Sequence, residues 1–173
     1  MRSQLVLVPL AAVATIATPA QAEIYLTVQQ AQRLLFPNAT FTRDFVPLTD
    51  DQYDTIRDAA RPLMWLRELK AWRVSTGGWF IVDQVKGRDD IITYALGLNA
   101  QGAVTGIEII ECEGGWGQVR WPAWRHQFVG LRRGQIGEDR ITVISGTSLS
   151  SWHIMAGVHR MLVAYDLALR QRR

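Results

Sequence analysis

Between Lys70 and Glu111 the chain offers little but short strands and tight turns, and this limits the fold more than any other feature. Residues 71–74 and 79–85, rich in β-branched and aromatic side chains, flank Thr76-Gly77-Gly78, a hairpin signal. Gly87-Arg88-Asp89-Asp90 turns the chain into a run at 91–99, and Ala100-Gln101-Gly102-Ala103 turns it again into 104–111. Parallel neighbours need crossovers of a dozen or more residues, so connections this short point to an antiparallel meander. In the third strand Ile92, Tyr94, Leu96 and Leu98 fall on one face, with Thr93, Ala95 and Gly97 on the other.

Helical signals lie on both sides of this block. Thr27-Val28-Gln29-Gln30 has capping-box spacing and leads into a short helix that ends before Pro37. Residues 39–46 read as extended. Thr49-Asp50-Asp51-Gln52 is a second capping box, and its helix runs to about Ala60, where Pro62 interrupts it. Residues 63–69 fit either a helix or irregular structure. A helix is expected over 118–128 despite Pro122, and Gly130 ends it. The β-branched run Ile141-Thr142-Val143-Ile144 reads as a further strand. Residues 152–169 carry Met155, Val158, Leu162, Tyr165 and Leu169 at helical spacing, giving a long C-terminal helix. The expected class is α+β, a small antiparallel sheet with helices packed on it. No alternating βαβ order, G-x-G-x-x-G or P-loop is present in the sequence.

A chain of 173 residues suits one domain with a proper core, and 48% hydrophobic against 20% charged residues is globular composition. Residues 1–22 are set apart. Arg2, an apolar stretch from Leu5 to Thr18 and Ala20-Gln21-Ala22 make the pattern of a cleaved secretory signal peptide. A membrane-spanning helix needs about 20 apolar residues, so the expectation is a mature domain at 23–173 without a membrane span, located in the periplasm. Removing Arg2 lowers the formal net charge from +3 to +2, and no nucleic-acid module accompanies it. Cys112 is the single cysteine, so no intramolecular disulfide forms. His126, His153 and His159 make no metal-ligand spacing with it. Trp65, Trp72 and Trp79 read as core aromatics.

Two segments carry candidate chemistry. Ser145-Gly146-Thr147-Ser148-Leu149-Ser150-Ser151 lies between the 141–144 run and the last helix. Hydroxyls there either cap the helix start or, with the free N–H groups and the helix dipole, attract a phosphate. Glu113-Gly114-Gly115-Trp116 is either a turn after a strand or a loop on which a planar ligand rests. A serine hydrolase is a weaker reading, because Gly146-Thr147-Ser148-Leu149-Ser150 misses the G-x-S-x-G elbow at its last residue.

The order and spacing of these segments resemble the FMN-binding domain family, which includes covalent-FMN subunits of the sodium-pumping quinone reductase and Rnf electron-transport complexes. The family mark S-G-A-T-x-[ST]-S is similar to Ser145-Gly146-Thr147-Ser148-Leu149-Ser150-Ser151. The likeness extends over the strand–turn–strand run 93–108, the Glu-and-Gly loop at 113–117 and the stretch Trp124-Arg125-His126-Gln127-Phe128-Val129-Gly130. Ile24-Tyr25-Leu26-Thr27 entering a helix also fits exported members. The resemblance implies that a flavinyl transferase moves FMN from FAD onto a hydroxyl, leaving a phosphoester. The family's alanine falls on Thr147 and its acceptor threonine on Ser148, so Ser148 is the expected acceptor and Thr147 the second choice. It further implies cofactor contacts at Ser145, Gly146, Ser151, Glu113, Gly114, Gly115 and Trp116, with no catalytic residues beyond the flavin site. The protein is then an electron carrier serving a membrane-bound redox partner rather than a stand-alone enzyme. The alternative within the same fold is a non-covalent or flavin-free binding module of such a complex.

Overall fold

The computed structural model describes residues 23–59, 67–87, 91–112 and 117–172. The expected signal peptide, the turn at 88–90 and Trp65 lie outside the described residues. The meander is present. β4 (Glu68–Val74), β5 (Trp79–Lys86), β6 (Ile91–Leu98) and β7 (Val104–Cys112) pair antiparallel in sequence order. β1 (Glu23–Ile24) extends the sheet beyond β7, while β2 (Phe41–Arg43) and β3 (Val46–Pro47) both pair with β4. The result is one seven-stranded sheet with main order β1-β7-β6-β5-β4-β2. With its helices and long C-terminal helix, this is the expected α+β class.

Both faces of the sheet are covered, and strand alternation decides which residue serves which face. The helix α1 (Val28–Leu35) closes one face with Phe36, Phe80, Ala95 and Ile110. Its N-terminal capping box is formed in both directions, between Thr27 and Gln30. A pair of facing glycines makes room for it, since Gly97 and Gly106 are register partners in β6 and β7. A Cβ on Gly106 would lie 2.8 Å from Leu35, and one on Gly97 would lie 3.0 Å from the Phe36 ring. The helix end is seated in that shallow dent.

The opposite face holds the larger core, where Ile81, Val85, Ile92, Tyr94, Leu96 and Ile107 meet α4 (Ser148–Ala164). The chain continues from α4 into a wider turn at Tyr165–Leu169. α2 (Asp50–Ala59), begun by the expected Thr49–Gln52 box, buries Ile56 on this side. α4 comes closest to the sheet at Gly157, whose added Cβ would sit 2.6 Å from Val85 and 2.7 Å from the Tyr94 hydroxyl. One turn later Arg160, 1% exposed, bonds Asp83 at 2.6 Å, and the Tyr94 hydroxyl donates to the same carboxylate at 2.8 Å. Burial, then the Asp83 charge, pushes the Tyr94 phenol well above its ordinary range, so it stays a donor.

Three expectations are corrected. Residues 141–144 form no strand. Their backbone groups bond side chains instead: Thr142 N–H donates to Gln127 Oε1 at 2.9 Å, and Thr142 carbonyl accepts from Trp124 Nε1 at 2.9 Å. Ile144 N–H donates to Ser151 Oγ at 3.3 Å. The β-branched residues serve burial rather than pairing, with Ile141 and Ile144 both in the core. The single helix expected at 118–128 is split into a 3-10 turn (Gly117–Arg120) and a short α3 (Pro122–His126). Trp121, just before the proline, is held at ψ 123°, because proline drives its predecessor out of the helical region. The last helix begins at Ser148, four residues earlier than its apolar spacing indicates, so the hydroxyl cluster forms its first turn.

Candidate functional site

The site grows from the junction between the 141–144 segment and α4. Thr147 N–H bonds the Ile144 carbonyl at 3.2 Å, closing a tight turn over Ser145 and Gly146. Gly146 sits at φ +85°, a left-handed backbone that glycine adopts without steric cost. A Cβ there would meet nothing within 4 Å, so the approach to the turn is open. Thr147 takes the N-cap position, and its carbonyl accepts the first helical bond from Ser151 N–H at 3.0 Å.

Capping chemistry is expected next, and it is missing. The Thr147 side chain makes no capping hydrogen bond to α4. Thr147 is only 4% exposed and Ser150 only 1%, yet among the described residues neither Thr147 Oγ1 nor Ser150 Oγ has a hydrogen-bond partner. Buried hydroxyls left in this state cost free energy, of order 1–3 kcal/mol each. The N–H groups of the first turn also meet no acceptor among the described residues, and they carry the positive end of the helix dipole. Ser148 is different, being exposed at the first helical position, as are Ser145 and Gly146 in the turn. Ser151 is fully occupied: its Oγ accepts from Ile144 and lies 3.1 and 3.0 Å from the Thr147 and Ser148 carbonyls.

Beyond Ser148 a groove of about 330 Å³ runs along α4, walled by Trp152, Met155, Ala156 and His159 and closed by Ile136–Glu138 of the preceding loop. These four helix positions follow i, i+3, i+4, i+7 spacing and share one face. Trp152 stands one turn from Ser148, remains 46% exposed, and donates its indole N–H to Glu138. Burial, then the charge of Arg133, lowers the His159 pKa from its ordinary value, which favours the neutral ring. Neither the role of Trp152 nor the groove is evident from the sequence alone. The signal was there, as an aromatic four residues after Ser148, but its partners at 136–138 come from a loop whose position only the fold sets.

The expected residues therefore separate. Ser145, Gly146, Thr147 and Ser148 come together around an open helix start, with Ser151 behind them as a structural tie. Glu113, Gly114, Gly115 and Trp116 lie outside the described residues. Of the histidines on α4, His153 Nδ1 bonds the Lys86 carbonyl, and His159 lines the groove. Trp72 and Trp79 pack in the cores as expected, and Trp124 stacks edge-on against Phe128. Among the described residues no helix is long and apolar enough to cross a membrane.

An FMN phosphate has a demanding set of needs, namely hydrogen-bond donors, positive potential and an accessible hydroxyl for an ester. The orphaned Thr147 and Ser150 hydroxyls, the open first turn and exposed Ser148 fit them. No family model matches this chain, and no curated protein matches it.

Proposed function

We propose that this chain is an extracytoplasmic electron-transfer protein that carries FMN as a phosphoester on Ser148. The observation that supports this most is the pair of buried, partnerless hydroxyls, Thr147 and Ser150, beside an exposed serine at an uncapped helix start. A structural N-cap would have satisfied the Thr147 hydroxyl. Ser148 is the accessible hydroxyl, so a flavinyl transferase reaches it without opening the core, whereas Thr147 Oγ1 is buried. The first-turn N–H groups and the dipole hold the phosphate's negative charge. The groove beside Trp152 offers an apolar wall that shields a planar ring from water. FMN, when bound, supplies one- and two-electron transfer, and the chain's own part is to orient it and set its surroundings. The signal-peptide pattern at 1–22 supports export to the periplasm, and a tethered cofactor is not lost there. A membrane-bound redox partner fits such a carrier.

Co-expression with a flavinyl transferase, followed by denaturing electrophoresis, tests the proposal. The band is expected to show flavin fluorescence only when the transferase is present. A dark band with active transferase in the same cells would contradict it.

A further inference from the structure

At the far end of α4, roughly 25 Å from Ser148 at about 1.5 Å per residue, a second cleft of about 640 Å³ opens between the β4–β5 hairpin, the β6–β7 turn and the chain after α4. Four arginines line it, Arg73, Arg132, Arg170 and Arg172, and among the described residues no carboxylate does. Like charges gathered in a concavity repel unless something behind them compensates. Two aspartates outside the lining do so in part. Asp44 bonds Arg73 at 2.7 Å and Arg172 at 3.2 Å, tying β4 to the C-terminal segment. Asp166 pairs with Arg170 at 3.6 Å and with neighbouring Arg133 at 3.3 Å. Arg132 has no ion pair among the described residues. Five arginines thus share two aspartates, an excess of three positive charges. Trp79 and Tyr165 contribute the apolar part of the wall, and the Arg73 guanidinium lies 5.7 Å from the Trp79 ring centroid.

We infer that this cleft is a binding site for a small soluble ligand carrying two or more phosphate groups. The volume lies within the range of small-molecule pockets, about 300–1,000 Å³. Guanidinium forks match phosphate oxygens bidentately, and the aspartates hold three of the four lining forks before any ligand arrives. The charge excess calls for a multiply charged anion, since a single carboxylate would leave most of it uncompensated. The cleft's charge is independent of any flavin at Ser148.

Isothermal titration of the purified, processed protein with pyrophosphate, ADP and sulfate tests the inference. Vesicles of phosphatidic acid in phosphatidylcholine form a further arm. Pyrophosphate is expected to bind one-to-one, more tightly than sulfate, and more weakly as salt is raised. Arg132→Gln and Arg170→Gln each remove an exposed charge and should weaken it about tenfold, the loss of one charge-assisted bond. Arg57→Gln, on α2 away from the cleft, should leave it unchanged. Tighter binding of ADP than pyrophosphate assigns the phosphates to a nucleoside, and equal affinity assigns them to a free phosphate; either supports the site. Absence of saturable pyrophosphate binding, affinity indifferent to both cleft variants, or binding of the vesicles alone would overturn it.

Discussion

Ser148 and Thr147 are adjacent in the chain and opposite in environment, one in solvent and one 4% exposed with a partnerless hydroxyl. Their variants should separate accordingly. Ser148→Ala removes the accessible alcohol and is expected to abolish the flavin adduct, read as loss of fluorescence on a denaturing gel. Thr147→Val keeps the shape and deletes the orphaned hydroxyl. Replacing an unsatisfied buried polar group stabilises by roughly 1 kcal/mol, so the flavin-free variant should unfold at higher urea than wild type. The candidate acceptor was legible as a motif, since hydroxyls and a glycine before an apolar helix are a local pattern. That its neighbours lack partners was not legible, because satisfaction of a buried group depends on what the fold brings near it.

Among the elements, α4 matters most, being anchored to the sheet by Gly157 and by the Arg160–Asp83–Tyr94 cluster. Asp83→Ala removes the carboxylate that buried Arg160 and the Tyr94 hydroxyl both bond and should destabilise the fold by about 1–3 kcal/mol in chemical denaturation. Gly157→Val drives a side chain into Val85 and Tyr94 and should also destabilise, by about 1–3 kcal/mol. His159 makes α4 sensitive to acid. Its pKa is lowered in the folded state, first by burial and then by Arg133, so the unfolded chain takes up the proton more readily. The stability it contributes is present above the ordinary histidine pKa of about 6.5 and is lost as pH falls through the lower folded value. Between pH 7.5 and 5.5, His159→Gln should therefore lose less of its thermal midpoint than wild type. Element type was readable wherever local signals agreed, as in the two capping boxes and the alternating β6. It failed where a tertiary partner overrode propensity. Residues 141–144 have strand-forming side chains, but Gln127, Trp124 and Ser151 take their backbone bonds.

For the whole molecule, the meander was legible because short turns leave antiparallel pairing as the one economical arrangement. The two covered faces also follow from alternation in β5 and β6. The packing that creates the groove beside Trp152 and the arginine cleft at the other end of α4 was hidden, because each joins residues from separate segments of the chain. Export, flavin attachment and service to a membrane partner form one proposal, and its centre is a covalent bond at a single position. Mass spectrometry of the tryptic peptide 141–160 addresses that bond most directly, because cleavage after Arg140 and Arg160 isolates the motif. From cells with an active flavinyl transferase, the peptide should gain the mass of one FMN less one water, with fragment ions placing it on Ser148. Recovery of the same peptide wholly unmodified would contradict the account.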